Sequence, residues 1–287
     1  MTKKSAFTNY HSSIHCDLAI WGATVHGVML AAEAVRSGKK VLLLNRYGFP
    51  GGRLTAALNL VQQIPDSVEN EIFLDFLQAI VKDAIVVDEN RSFLEPETLK
   101  YKLWEMAAQS GAKLLFHVLP TALKERDEQV TLNLAGREGA LTVKCSELFD
   151  AGDDGLLLSL LKPEAVQITR LALNAIIHLD DLKYWESGPI WERFPITDQR
   201  VWLSAAFSPS KKFDLEAAFH QKLAQWHDSL QKAGGRIQLI PLEADREWTA
   251  PGAEPKFKHI RLSTGIESEP DQLLLYSLDA VKAHTML

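Results

Sequence analysis

Residues 16–55 read CDLAIWGATVHGVMLAAEAVRSGKKVLLLNRYGFPGGRLT. Leu18 to Trp21 is an apolar run that reads as a buried strand. Gly22 and Gly27 bracket a tight turn, and a helix follows with Val28, Leu30, Ala31, Ala34 and Val35 on its apolar face. Gly38 ends that helix, and Val41 to Leu44 is a second apolar strand with no polar alternation. Continuous apolar strands flanking a helix belong to a sheet covered on both faces, so the two strands are expected to be parallel neighbours. A glycine turn opening the helix sets free backbone N–H groups and the positive end of a helix dipole against a pyrophosphate.

The usual dinucleotide fingerprint is G-x-G-x-x-G followed, about 20 residues on, by an acid for the ribose hydroxyls. Here the turn is Gly22-Ala23-Thr24-Val25-His26-Gly27, and Asn45 stands at the ribose position. Thr24 brings a Cβ to the place where backbone should approach phosphate. Asn45 can hydrogen-bond a hydroxyl but supplies no charge. Glycines that only permit close helix–strand packing would produce the same turn.

Directly after the second strand comes Arg46-Tyr47-Gly48-Phe49-Pro50-Gly51-Gly52-Arg53-Leu54-Thr55. With the preceding strand–turn–helix–strand unit, this segment resembles the FAD-dependent oxidoreductase family of the glutathione-reductase-like flavoprotein class. Members of that family often carry Thr at the middle glycine position, as at Thr24, but usually an acid where Asn45 stands. The resemblance implies that Gly51 and Gly52 let backbone pass close to the FAD diphosphate, which a Cβ would obstruct.

Two more segments follow in the family's order. Thr121 to Ser146 alternates with polar turns, including Gly136-Arg137-Glu138-Gly139, and reads as antiparallel hairpins, a small β-meander. Leu148-Phe149-Asp150-Ala151-Gly152-Asp153-Asp154-Gly155 then resembles the family's strand ending in Asp-Ala-Thr-Gly-Asp, with the threonine missing or replaced by Gly152. The resemblance implies that this turn, Gly152 and Asp153 included, approaches the adenosine side of FAD. It also implies a backbone contact from Val118 to the adenine.

Around these motifs the periodicity marks helices over 70–83, capped by Asp66 or Ser67, and from Pro96 to Gly111 with Leu99, Leu103, Trp104 and Ala107 on its buried face. Lys113 to Val118 reads as one strand and Val166 to Leu179 as another. Asp180 to Pro195 reads as a loop with aromatic anchors, and Val201 to Phe207 as a strand. Phe213 to Ala233 is an amphipathic helix, followed by a strand over Arg236 to Leu242. Asp245, Arg246, Glu247 and the Pro251 to Pro255 stretch read as a linker. Lys258 to Ser263 is a strand, and Asp271 to His284 a helix. Gly265 resembles the family's return turn toward the flavin, although Glu267 and Glu269 put negative charge beside it.

The expected fold class is α/β: an FAD/NAD(P)-binding Rossmann-like parallel sheet with an inserted β-meander, plus a second α+β substrate or cap domain. The expected division is 1–160, with 256–287 returning to it, and 161–255. A net charge of −6 argues against general nucleic-acid or anionic-membrane binding. No apolar run is long enough to span a bilayer, and Met1 to His15 is polar and lacks the apolar centre of a signal peptide. The two cysteines, Cys16 and Cys145, are far apart in sequence, lack metal spacing and suit a reducing, cytoplasmic setting as small buried hydrophobes. The scattered histidines form no metal motif, so no metal is expected.

The function expected is an FAD-dependent oxidoreductase acting on a small molecule by flavin hydride transfer, as a homo-oligomer or with a partner subunit. The alternative is a catalytically silent FAD-fold protein serving as a binding or accessory subunit. An NAD(P)-dependent enzyme is a third option, against which the Gly51-Gly52 segment speaks. Arg53 is the candidate catalytic side chain. The expected cofactor-binding set is Gly22, Ala23, Thr24, Gly27, Asn45, Arg46, Gly51, Gly52, Arg53, Val118, Gly152, Asp153 and Gly265.

Overall fold

The computed structural model describes residues 12–180, 191–207, 215–251, 257–263, 272–275 and 277. Strand β1 (Ser12–Trp21), helix α1 (Val25–Arg36) and strand β2 (Val41–Leu44) form the opening βαβ unit. The strands pair in parallel from Leu18–Val41 to Trp21–Leu44, as the uninterrupted apolar runs require. Thr24 caps α1, its hydroxyl accepting from the Gly27 N–H at 3.1 Å. Gly38 follows the helix at φ +85°, with open space where a Cβ would stand.

The chain then makes a short helix α2 (Arg53–Ala56), strand β3 (Val61–Gln63) and helix α3 (Glu71–Val81). Asn70, not Asp66 or Ser67, caps α3: its Oδ1 accepts from the Phe73 N–H at 3.0 Å. Strands β4 (Ile85–Val86) and β5 (Arg91–Phe93) complete a three-stranded antiparallel sheet in the order β3-β5-β4. In α4 (Pro96–Gln109), Leu99, Leu103 and Ala107 are buried one above another. Trp104, expected on that face, sits beside the row, 44% exposed and edge-on to Phe116.

Strand β6 (Lys113–Leu115) is shorter than the sequence suggests, because His117 turns the chain at φ +58°. A new strand, β7 (Val118–Arg126), opens the meander that continues through β8 (Gln129–Gly136) and β9 (Gly139–Asp150). β9 serves two partners. It pairs antiparallel with β8 up to Val130–Cys145, and parallel with β1 from Ser12–Leu141 to Trp21–Asp150. The polar residues before Cys16 are therefore strand as well.

Helix α5 (Leu156–Leu161) leads to β10 (Gln167–Leu179), β11 (Trp191–Pro195), β12 (Arg200–Phe207), α6 (Leu215–Lys232), β13 (Gly235–Leu239) and β14 (Asp245–Thr249). These strands form a second, five-stranded antiparallel sheet ordered β11-β12-β10-β13, with β14 also on β10. Two expectations are corrected here. Trp191–Pro195 is strand rather than loop, held by β12, while 181–190 lie outside the described residues. Asp245–Thr249 is strand rather than linker, with Asp245 and Trp248 buried. Strand β15 (Ile260–Arg261) pairs in parallel with β9, giving a seven-stranded first sheet with the path β6-β2-β1-β9-β8-β7.

Each face of that sheet carries its own apolar core. One joins Leu18, Ile20 and Leu43 to α1, α3 and α4; the other joins Ala19, Trp21, Leu42 and Leu44 to the meander. This division is the α/β fold class expected from the sequence.

Candidate cofactor site

The strand order creates one special crevice. From β1 the chain crosses to β2 on one side, while β9 lies on the other. In open parallel sheets a ligand binds beyond the carboxyl ends of the strands where the order reverses in this way. The glycine turn follows β1 and the Asp150 loop follows β9, so the two motifs face each other across this crevice.

They approach closely. A Cβ on Gly22, itself at φ +95°, would stand 2.5 Å from the Gly152 nitrogen, so only glycine fits. Thr24 Oγ1 donates to the Ala151 carbonyl at 2.9 Å while capping α1. The Gly51-Gly52 segment docks on the same turn, the Gly51 N–H donating to the Ala23 carbonyl at 2.7 Å. Gly51 and Gly52 have φ of +117° and +52°, and a Cβ on Gly52 would run into the Asp153 carboxylate. Asp153 Oδ2 accepts from the Arg53 N–H at 2.6 Å. Thus Gly22, Ala23, Thr24, Gly27, Gly51, Gly52, Arg53, Gly152 and Asp153 converge.

The other predicted residues stand apart from this cluster. Asn45 lies behind the turn. Its Oδ1 accepts from the Ala23 N–H at 3.2 Å, and its amide donates to the Tyr47 and Phe49 carbonyls at 3.1 and 2.8 Å. Both amide hydrogens of Asn45 are thereby committed to the backbone. Arg46 pairs with Glu243 at 3.3 Å. Val118 is buried, and its N–H donates to the Asn45 carbonyl at 3.2 Å. That donor holds the loop after β2. Gly265 lies outside the described residues.

Arg53 is buried and ion-paired, Nε to Asp245 Oδ1 at 2.5 Å. Burial works against the guanidinium charge, but the Asp245 charge and hydrogen bond outweigh it and hold Arg53 protonated. Arg53 Nη2 has no hydrogen-bond partner among the described residues. Asp245 Oδ2 also accepts from Asn59 at 3.2 Å. Burial raises Asp150 well above the ordinary carboxyl range and pushes Asp153 up to about 7, with the Asp154 charge adding to both. Asp150 Oδ2 has no partner among the described residues. Backbone N–H groups of Gly152 and Ser263 work against that rise at Asp150.

The sequence reading missed the back wall of this region. Asn174 Nδ2 donates to the Ala57 carbonyl at 2.9 Å, Trp202 Nε1 to the Leu58 carbonyl at 2.9 Å, and the Leu242 N–H to the Ala56 carbonyl at 2.8 Å. Three consecutive carbonyls at the C-terminal end of α2 are thus held by the second sheet and the chain around it. One signal could have located β14 and hence Asp245: a tryptophan-bearing run bounded by Pro241 and Pro251.

A family model described as FAD dependent oxidoreductase matches residues 17–164. The chain belongs to this family. The match runs from β1 through α5 and contains every described residue of the predicted cofactor set. FAD is the cofactor of this family. No curated protein matches the chain. Among solved structures, it is similar to OxyS anhydrotetracycline hydroxylase from Streptomyces rimosus, with a TM-score of 0.67 and 18% identity over 93% of this chain and 60% of that one. It is also similar to the p-nitrophenol 4-monooxygenase PnpA from Pseudomonas putida, with a TM-score of 0.62 and 12% identity over 94% and 78%. A third is the flavin-dependent monooxygenase PieE in complex with FAD and substrate, with a TM-score of 0.63 and 14% identity over 93% and 56%. These likenesses establish a common fold. The chain spans about 60% of the length of OxyS.

The residues at the crevice fit this cofactor in chemistry. The α1 N-terminus and the partnerless Nη2 of Arg53 supply positive charge and donors, and Gly51 and Gly52 leave the segment beside them free of side chains. Thr24, Gly51, Leu54, Asp150, Gly152 and Asp153 line a small cavity in this crevice. Among the described residues, no helix is long and apolar enough to cross a membrane.

Proposed function

We propose that the protein binds FAD in the crevice between the glycine turn, the Gly51–Arg53 segment and the Asp150–Asp153 loop, and oxidises a small molecule presented from the five-stranded sheet. The observation that carries this reading is the switch point between β1 and β9, on which three sequence-distant glycine segments converge. The division into a cofactor unit, 1–160 with 256–287, and a substrate or cap unit, 161–255, belongs to the same proposal. FAD supplies hydride and electron transfer when bound. Gly22, Thr24, Gly51 and Gly152 fix the approach of backbone to the diphosphate. Arg53, oriented by Asp245, supplies a fixed positive charge and a donor at Nη2. Asp150 lines the crevice beside the glycine turn. Asn45 sets the shape of the loop after β2 rather than contacting ribose directly.

For the reaction, the solved relatives named as hydroxylases and monooxygenases of aromatic compounds serve as a nearer guide than the glutathione-reductase-like class. The committed Asn45 amide favours a second reading, in which the chain keeps the fold without taking up flavin and acts as a binding or accessory subunit.

One experiment separates them. Purified protein is incubated with excess FAD, gel-filtered, and examined for flavin absorbance and by mass analysis of the extracted ligand. Retained FAD supports the first reading, and its absence in folded protein supports the second. Gly51→Val places a side chain at φ +117° against Thr55 and should release flavin. Circular dichroism checks that the variant is folded. Loss of one donor to a charged group costs about 1.5–3 kcal/mol, one to two decades in affinity.

A further inference from the structure

The two cysteines, remote in sequence, are partners in the fold. Cys16 on β1 stands directly opposite Cys145 on β9 in the parallel register. Register partners in a parallel pair point to the same face of the sheet, here toward the meander core. Neighbouring strands lie about 4.8 Å apart, which places the two Cα atoms inside the range of about 4.4–6.8 Å that a disulfide spans. Both thiols are free, Cys16 partly exposed and Cys145 buried with its Sγ donating to the Val130 carbonyl at 4.0 Å. No other cysteine exists in the chain to compete.

We propose that Cys16 and Cys145 are a dithiol oxidation site that closes to a reversible intramolecular disulfide on exposure to a hydroperoxide.

The chemistry assigns each thiol a role. The Cys145 hydrogen bond lowers the Cys16 thiol below its ordinary range, with Lys113 assisting and burial and Asp17 opposing. The same hydrogen bond, with burial, raises Cys145 far above its ordinary range. Cys16, the more accessible and more acidic, is the attacking sulfur. Its thiolate attacks one peroxide oxygen. An S–O bond forms, the O–O bond breaks, and hydroxide leaves with a proton as water. The Cys145 sulfur then attacks the Cys16 sulfenic sulfur. The S–S bond forms, the S–O bond breaks, and a second water leaves with the Cys145 proton. Two thiols lose two electrons and the peroxide is reduced to two waters.

Side chains in parallel register sit farther apart at Cβ than a relaxed disulfide prefers, so closure must draw β1 and β9 together. Disulfides formed against such resistance have higher potentials and are the readily reduced ones. The same two strands carry Gly22 and Gly152 at their far ends, but the proposal does not depend on flavin binding.

The test uses the full chain, reduced and freed of reductant, then treated with hydrogen peroxide. Denaturation, alkylation with N-ethylmaleimide and intact mass follow. We expect two adducts before peroxide and none after it, with the mass lower by two hydrogens, the chain monomeric on a non-reducing gel, and both adducts restored by dithiothreitol. In Cys145→Ser, Cys16 should instead stop as a sulfenic acid trapped by dimedone. In Cys16→Ser, Cys145 should stay alkylatable. The proposal is overturned if both thiols survive a peroxide dose that oxidises free cysteine. It is equally overturned if Cys16 alone advances to sulfinic acid in the wild-type chain, or if only covalent dimers form. The wild-type mass decides the matter even if a variant folds poorly.

Discussion

The two large sheets are built on different principles. In the seven-stranded sheet β2 and the end of β1 are apolar: all of Leu18 to Trp21 and Val41 to Leu44 is buried, and helices or the meander cover each face. Its polar groups gather at strand ends, in Asn45 and Asp150. The five-stranded sheet carries buried polar side chains within its strands, namely Asn174, Ser204 and Asp245. Asn174 and Asp245 satisfy groups of the segment after Gly52: the Ala57 carbonyl, the Arg53 guanidinium and the Asn59 amide. The first sheet is specified by where apolar residues repeat, and the second by which polar groups of the first it must satisfy.

The sharpest way to break this contrast is Asp245→Leu. It leaves the Arg53 cation buried without its counter-ion, and removing one partner of such a pair costs about 3–5 kcal/mol. The urea midpoint should fall accordingly, and Arg53→Met combined with Asp245→Leu should recover most of it. A single variant as stable as wild type would show that the pair does not tie the two sheets.

Next come Asn174→Ala and Trp202→Phe, each removing a donor to a buried carbonyl after α2. Each should cost about 1–3 kcal/mol. If chemical denaturation finds both neutral, water reaches those carbonyls and the second sheet is not their partner.

Asn45→Asp tests the polar group at the end of β2. An acid at a ribose site would strengthen FAD binding. The geometry instead predicts a stability loss of about 1–2 kcal/mol, because the carboxylate cannot donate to the Tyr47 and Phe49 carbonyls. Tighter FAD with no loss of stability would return Asn45 to the ribose.

The smallest effect is expected at Asp153. A carboxyl raised to about 7 by burial favours the native state when protonated. That contribution is fully present below the ordinary value near 3.8 and is lost as pH rises through about 7. Asp153→Asn should therefore be more stable than wild type at pH 8, with the difference vanishing toward pH 4. Asp153 keeps some solvent contact, so the gain is about 1 kcal/mol, a few degrees in Tm. A thermal-melt difference that does not change with pH would remove the carboxyl from this role.

Much of the first sheet was legible because its signals are local. The turn between Gly22 and Gly27, the apolar strand Val41–Leu44 and the alternating meander each declare themselves within a few residues. The boundary at His117 did not, because a positive φ on a histidine has no sequence mark. Long-range facts were invisible for a physical reason. Asp245 reads as a linker charge until a strand pairing buries it against Arg53. Cys16 and Cys145 read as separate residues until β9 returns beside β1. The committed amide of Asn45 likewise follows from three backbone partners that only the folded loop brings together.

The Arg53–Asp245 pair also sets an order of events during synthesis. The two residues lie 192 positions apart. When β9 and the loop after it have emerged from the ribosome, the glycine turn, the Gly51-Gly52 segment and the Asp150 loop are all present, yet the Arg53 guanidinium still lacks Asp245. That partner arrives only after nearly the whole five-stranded sheet has been made. A nascent or truncated chain ending near residue 164 would hold the apparent cofactor motif without the carboxylate that hydrogen-bonds the Arg53 side chain. Completing the crevice is therefore among the last steps of folding, although its motifs are among the first residues translated.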